Sequence, residues 1–320
     1  MPLAEFALIS RFFAPLATDS GALSLTDDAC LIEENATCDL AVTTDALIEG
    51  VHFLNRDPAN LIARKALRVN LSDLAAKGAR PLGYLLALAL PRQVDEAWLE
   101  AFAAGLADDQ RTFAISLLGG DTTATPGPVT LAVTAMGRVP RGAMIRRSGA
   151  RPGEAVFVSG TIGDAGSGLE LIKDEAGEGP EAQFLVGRYR LPTPRLGLGV
   201  ALRGAATAAI DVSDGLLADL GHIAEVSEVR ISIDAERVPL SGALRGLRGS
   251  GLDTIVRAAT AGDDYEIAFT AASERDALEA GLRAGVPVTR IGRVESGKGA
   301  VMIDAAGREI PISRPGYSHF

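Results

Sequence analysis

The chain has 320 residues, 47% of them hydrophobic, and 31 lysines and arginines against 41 aspartates and glutamates, a formal charge of −10. Length and hydrophobic content exclude a disordered chain and predict two domains, each able to bury a core without staples. The acidic balance excludes a dedicated nucleic-acid binder, and the only cysteines, Cys30 and Cys38, form neither a CxxC pair nor a disulfide framework, which predicts a reducing, cytoplasmic setting.

The segment 5–13 places Phe6, Ile9 and Phe13 at helical spacing, and Glu5 without a basic lead into an apolar run argues against a signal peptide. Short strands are expected over 29–33 and 40–44. A long helix follows over 60–77, with Asn60 as its cap and Gly78 and Pro81 ending it. The apolar run 82–90 is closed by Pro81 and Pro91, so it reads as a strand and is far short of the ~20 residues of a membrane span. A helix over 96–113, a short strand over 115–118 and a longer one over 129–139 complete the first half.

The Arg- and Gly-rich stretch 141–153 is the expected boundary, giving domains at 1–145 and 146–320. Beyond it come a strand at 155–159, a Gly-rich entry to a helix at 163–173, an exposed loop at 174–180, and a helix after Pro192 and Pro194. A strand at 208–212, a helix at 216–226 and a strand at 229–234 follow. The chain then continues with a strand at 265–270, a helix at 273–284 and a strand at 289–294. This is an α+β order in two halves rather than a doubly wound sheet. Asn70-Leu71-Ser72-Asp73-Leu74 and Asp211-Val212-Ser213-Asp214-Gly215-Leu216 form a faint internal echo.

Aspartates gather beside Gly, Ser or Thr at the ends of these elements: Asp27-Asp28, Asp45, Asp73, Asp121, Asp211 with Asp214, and Asp263-Asp264. Any one of them reads as a turn or a helix cap, Asp73 and Asp214 in particular. As a set they suggest hard divalent cations, which take oxygen ligands and share them with substrate phosphates. The four lysines, Lys65, Lys77, Lys173 and Lys298, lie in no P-loop. The Gly-rich segment 160–168 offers amides to an anion or serves as a plain helix entry. With three histidines and no GxSxG elbow, nucleophile triads are dismissed. His222 reads as structural, and His52 as either a ligand contact or a packed side chain.

Several motifs occur in order: Asp27-Asp28-Ala29, Thr43-Thr44-Asp45, Gly50-Val51-His52-Phe53, Asn70-Leu71-Ser72-Asp73-Leu74-Ala75-Ala76, Gly119-Gly120-Asp121-Thr122-Thr123, Arg147-Ser148-Gly149-Ala150, Asp211-Val212-Ser213-Asp214-Gly215-Leu216 and Gly262-Asp263-Asp264-Tyr265-Glu266. With the terminal Gly316-Tyr317, this series resembles the bacterial thiamine-monophosphate kinases of the aminoimidazole-ribonucleotide-synthetase-like superfamily, over nearly the whole chain. The resemblance implies a two-domain fold whose N-terminal domain forms a β-barrel-like dimer core and whose C-terminal α/β sandwich completes the active site. It implies transfer of the ATP γ-phosphate to thiamine monophosphate with several Mg²⁺ ions, in a homodimer. Carried over by motif, Asp28, Thr43, Thr44, Asp45, Asp73, Asp121, Asp211 and Asp214 are metal ligands. Gly120, Asp121, Arg147 and Ser213 are ATP contacts, and His52, Asp263 and Tyr317 are substrate contacts.

The chain departs from the family pattern in three places: Thr26 stands for Gly, Lys77 for Met, and Asp263 for Glu, one methylene shorter. The lack of a general base fits a phosphate acceptor, already largely ionised at neutral pH because its second pKa is about 6. Direct transfer without a phosphoenzyme follows. The alternatives are a synthetase or kinase of the same superfamily with another acceptor, and a metal-dependent phosphohydrolase. A non-enzymatic cation binder has no EF-hand-like loop behind it.

Overall fold

The computed structural model describes residues 9–19, 22, 36–176 and 178–318. The chain divides into two units, Met1–Leu74 with Ala79–Gly142, and Ala75–Gly78 with Ala143–Phe320. The expected strand at 29–33 lies outside the described residues, as do Thr26, Asp27, Asp28 and Cys30.

The N-terminal unit is a four-stranded sheet of β1 (Cys38–Ile48), β2 (Arg80–Pro91), β3 (Ser116–Thr125) and β4 (Thr130–Pro140), in the order β1-β4-β2-β3. β4 runs antiparallel to both β1 and β2, while β2 and β3 are parallel. Two long helices, α1 (Ala59–Ala76) and α2 (Glu96–Phe113), supply the connections into β2 and β3. In β1 side chains alternate between faces: Ala41 and Leu47 are buried, with Thr43 and Asp45 on the same face, while Leu40, Val42 and Thr44 are exposed on the other.

The helices are bound to each other and to the sheet by buried polar contacts. Asp109 on α2 is wholly buried and accepts from Arg64 Nε at 2.9 Å and Arg68 Nε at 2.6 Å, both on α1. Next to it, Gln110 donates to the hydroxyl of fully buried Tyr84 on β2 at 3.0 Å. Asp95 caps α2 by accepting from Trp98 N, and Ala114 closes it in the left-handed region. Asn60 is not the cap of α1. The helix begins at Ala59, and Leu61 N and Ile62 N donate to the carbonyl of Pro58. Pro58 directly precedes the helix, which starts two residues earlier than an Asn60 cap would give.

The C-terminal unit is a six-stranded sheet of β5 (Ala155–Ser159), β6 (Ala208–Asp211), β7 (Arg230–Asp234), β8 (Ile267–Ala271), β9 (Val288–Glu295) and β10 (Gly299–Ile303). Its order is β10-β7-β9-β5-β8-β6, antiparallel except for β7 and β10. Helices α3 (Asp164–Lys173), α4 (Pro180–Arg190), α5 (Leu196–Ala201), α6 (Leu216–Ser227), α7 (Gly242–Arg248), α8 (Leu252–Thr260) and α9 (Glu274–Ala284) complete it. Alternation along β5 feeds both faces. Val156 and Val158 join one apolar cluster with Leu185, Leu217 and Ala258, and Phe157 joins another with Phe269, Leu198 and Ala277. A sheet covered on both faces is the sandwich that the resemblance implied.

The loop expected at 174–180 ends where α4 begins, and that helix occupies a stretch for which no element was expected. Pro180 starts this helix, and Ala182, Leu185 and Tyr189 supply its buried face. The polar residues around them mask that spacing. Breaking the Asp109 pairing strands buried arginines. Asp109→Ala is expected to lower stability by about 3–5 kcal/mol, read by chemical denaturation.

Candidate functional site

In the N-terminal unit the acidic residues arise from two elements. Asp45 lies on the inner face of β1, and Asp73 lies in the last turns of α1, so neither is a cap. Thr43, two residues before Asp45 on the same face, donates its hydroxyl to Asp73 Oδ2 at 2.5 Å, which fixes the Asp73 carboxylate. Burial, with the charge of Asp73 second, pushes the Asp45 carboxyl up to about 7. Close beneath, Asn70 Oδ1 and Ser72 Oγ are buried polar atoms without a hydrogen-bond partner. Thr44 points to the opposite face, where its hydroxyl meets Thr134 Oγ1 at 3.0 Å, so its side chain is not brought beside Thr43 and Asp45.

Asp121 is exposed on β3, opposite Ala87 of β2. Its neighbour Gly120 is needed for a close approach, since a Cβ there would run into the carbonyl of Leu86. After β1 the chain folds back: His52 N donates to Ile48 O at 2.9 Å, and His52 Nδ1 accepts from Ile48 N at 3.0 Å. The accepting Nδ1 leaves the proton of a neutral ring on Nε2. Lys65, on α1, holds this turn by donating to the carbonyl of His52 at 3.0 Å.

In the C-terminal unit three motifs are stitched together through their backbones. Asp263 N donates to Ser213 O, Tyr265 N to Val212 O, and Val212 N to Glu266 O, each at 2.8 Å. Tyr317 N donates to Asp214 O at 2.8 Å, and the Tyr317 ring stays 46% exposed. Gly262 permits the approach, because a Cβ would strike the carbonyl of Ser213. Asp211, Ser213, Asp214, Asp263 and Tyr317 therefore form one cluster of loops. Asp263 and Tyr265 both adopt positive φ, 69° and 52°, which costs a non-glycine residue on the order of 1–3 kcal/mol where surrounding contacts impose it.

Those contacts come from the alternate residues. Glu266, fully buried, accepts from Arg195 Nε at 2.7 Å, Arg188 Nη2 at 2.9 Å and Ser159 Oγ at 2.5 Å. Asp264, also fully buried, accepts from Gly163 N at 2.8 Å and Ala165 N at 3.4 Å. Burial holds the Asp264 carboxyl well above the usual range, against the pull of those amides and of Arg188. The Gly-rich entry to α3 is thus already filled by a carboxylate of the protein itself. The anion-binding reading of 160–168 gives way to an anchoring one.

Sequence reasoning missed Asp219 and set aside His222. Asp219, on α6 and nearly wholly buried, accepts from Asp214 N and Gly215 N at 3.1 Å each. Burial and the nearby Asp214 charge, opposed by these amides, raise its carboxyl to about 7. His222 follows on the same helix, and Asp214, Asp219 and His222 each bring a ligand atom within 4.8 Å of the others. The steps of five residues from Asp214 to Asp219 and three from Asp219 to His222 were the available signal. The Arg147 side chain is exposed, while its carbonyl and the amides of Gly149 and Ala150 are held by Ser227 Oγ at 3.2–3.4 Å. Lys77, one of the departures from the family, donates to the carbonyl of Ala209 at 2.8 Å. Asp28 lies outside the described residues.

The donor set of the N-terminal group fits a hard divalent cation. It consists of carboxylates and a hydroxyl, and burial together with the like charge of Asp73 raises the Asp45 carboxyl where a cation would lower it.

Residues 26–139 match the family described as AIR synthase related protein, N-terminal domain, and residues 151–304 match its C-terminal domain. Thiamine-monophosphate kinase of Caulobacter vibrioides is 45% identical over 325 residues, covering 99% of this chain and 91% of that protein. A crystal structure of thiamine-monophosphate kinase from Stenotrophomonas maltophilia is 47% identical, with a TM-score of 0.83 over 94% of this chain and 97% of that one. A second structure, AaThiL complexed with AMPPCP and TMP, is 33% identical with a TM-score of 0.79, covering 100% and 99%. The chain belongs to the thiamine-monophosphate kinase family, within the AIR synthase related proteins.

A carboxyl whose folded pKa is raised stabilises fully below its unfolded value of 3.8, and that contribution is lost as pH rises through about 7. Asp45→Asn removes this loss. In a chelator, the variant is expected to melt above the parent at pH 8, with the difference shrinking toward pH 4 in thermal scans.

Proposed function

We propose that the protein is a magnesium-dependent kinase that transfers the γ-phosphoryl group of ATP to thiamine monophosphate, giving thiamine diphosphate and ADP. The observation that carries this reading is the oxygen-only group of Thr43, Asp45 and Asp73, with like carboxylates facing each other at partial burial. Full-length similarity to thiamine-monophosphate kinases, one structure of which is described with AMPPCP and TMP, supplies the substrates.

In this reading Thr43, Asp45, Asp73 and Asp121 of the N-terminal unit, and Asp211 and Asp214 of the C-terminal unit, hold Mg²⁺; Asp28 joins them by motif, and Thr44, whose side chain faces away, would join only through its backbone. Bound Mg²⁺ would offset the repulsion between two phosphate groups and orient their oxygens for in-line transfer. The residues divide the remaining work. Gly120, Asp121, Ser213 and the exposed Arg147 receive the nucleotide, Arg147 because a guanidinium stays charged and presents a fixed fork to phosphate. His52, Asp263 and Tyr317 receive the acceptor. The acceptor phosphate is itself the nucleophile, so no side chain needs to remove a proton. That suits a His52 ring whose Nδ1 is engaged by the backbone. Transfer is direct, and the aspartates hold metal rather than carry phosphate.

The same reading makes the protein a homodimer. β1 is at the edge of its sheet, and its outer face carries Leu40 and Val42, 47% and 57% exposed. Exposed apolar residues on a sheet edge suit a second copy of the same surface. A supply of only two cysteines accords with a cytoplasmic location. Among the described residues no helix is long and apolar enough to cross a membrane.

Incubation with Mg²⁺, ATP and thiamine monophosphate should yield thiamine diphosphate and ADP in equal amounts. ADP without thiamine diphosphate would point to another acceptor, and phosphate released without ATP to a hydrolase. Asp45→Asn and Asp121→Asn should abolish turnover with the circular dichroism spectrum unchanged. Val42→Asp on the outer face of β1 should shift the protein to monomer in light scattering, and a dimer that persists would remove that face as the interface.

A further inference from the structure

We propose that Tyr265 is a positioning residue for acceptor recognition: its phenol aims the carboxylate of Asp263. This rests on the reading of Asp263 as an acceptor contact and deepens it. The Tyr265 hydroxyl donates to Asp263 Oδ1 at 3.0 Å, two residues back along the chain. In a plain extended strand, residues two apart share a face and their side chains stand parallel. Here both residues hold left-handed backbone, φ 69° and 52°, and the phenol reaches the carboxylate.

The contact is imposed from below. Asp264 and Glu266, the alternate residues, are fully buried and tied to the amides at the start of α3 and to Arg188 and Arg195. Asp263 N and Tyr265 N are pinned to the 212–213 backbone at 2.8 Å. Tyr265 is itself 9% exposed, so its ring is a fixed support rather than a mobile surface side chain. Two strained residues and two buried acids thus act together on one half-buried group, a carboxylate whose rotation is set. A carboxylate repels the phosphate of the acceptor. The part of thiamine monophosphate it suits is the cationic and amino-bearing ring system. Asp263 is also one methylene shorter than the Glu of the family pattern, so its reach tolerates less rotation.

The test is a double-mutant cycle with full-length protein and the kinase assay. Tyr265→Phe keeps the packed ring and removes the hydroxyl. It is expected to raise KM for thiamine monophosphate about tenfold, with KM for ATP within twofold of the parent and the melting temperature unchanged. Asp263→Ala should raise the same KM at least as much, and Tyr265→Phe should add nothing in the Asp263→Ala background. A Tyr265→Phe effect that persists undiminished without Asp263 would overturn the inference, as would an unchanged acceptor KM in Tyr265→Phe while Asp263→Ala impairs it. If Asp263→Ala itself leaves the acceptor KM unchanged while the parent makes thiamine diphosphate, Asp263 is not an acceptor contact and the inference falls with it. A parent that turns over no thiamine monophosphate overturns the functional reading instead.

Discussion

A carboxylate removed from water has to be neutralised, and the way each one is neutralised organises this molecule. Asp109 meets two arginines, Glu266 meets two arginines and a serine, and Asp264 meets the amides at the start of a helix. These three are satisfied from within the chain and act as structural fasteners. Asp109 binds the two long helices of the N-terminal unit together. Asp264 and Glu266 pin a loop of the C-terminal unit. Asp45 is treated differently. Burial, and then the like charge of its neighbour Asp73, raises its carboxyl to about 7. An unneutralised pair of this kind weakens the fold, and its retention is understandable where an external cation completes it.

The two kinds of acid also differ in how far the sequence discloses them. The aspartates of the motifs stand beside Gly, Ser and Thr and were visible as a set, and the long helix over 96–113 and the strand at 155–159 followed from periodicity and turn signals. The fasteners were not visible. Asp109 sits in a run of polar helix residues, and its partners lie 41 and 45 positions away. Glu266 faces Arg195 across 71 positions. Spacing along the chain carries local periodicity and says nothing of such distant pairings. The same limit hid the hydrogen bonds that join 212–214 to 263–266 and to Tyr317. In the short helix Gly242–Arg248 glycine and arginine break up the apolar spacing, and the packing of Leu244 secures it. Leu252, Ile255, Val256 and Ala259 of Leu252–Thr260 do stand at helical spacing, over too few residues to declare a helix against the surrounding glycines.

The Gly-rich segment before Asp164 shows how one chemical signal admits two occupants. Backbone amides at a helix start favour an anion, and the sequence left open whether a ligand would supply it. The acceptor there is the buried carboxyl of Asp264, which takes the amides of Gly163 and Ala165. An internal carboxyl at that position turns a ligand-binding geometry into an anchor, beside which Asp263 stays half-buried and Tyr265 packs inward. Strain at Asp263 and Tyr265 is sustainable only because the alternate residues are fixed so firmly.

This division of labour also bears on the chemistry. A transfer between two phosphate groups needs little proton movement and much control of charge and position. Nothing in such a reaction asks for a tuned histidine. Among the described histidines, His52 spends Nδ1 on the backbone and His222 lies beside two carboxylates. What the reaction asks for is acidic side chains that stay apart from the protein's own cations while other acids consume them. By placing Arg64 and Arg68 on buried Asp109, and Arg188 and Arg195 on buried Glu266, the fold engages those guanidinium groups within their own units. The ion pairs that hold each unit together thus also commit these arginines to the fold rather than to a ligand.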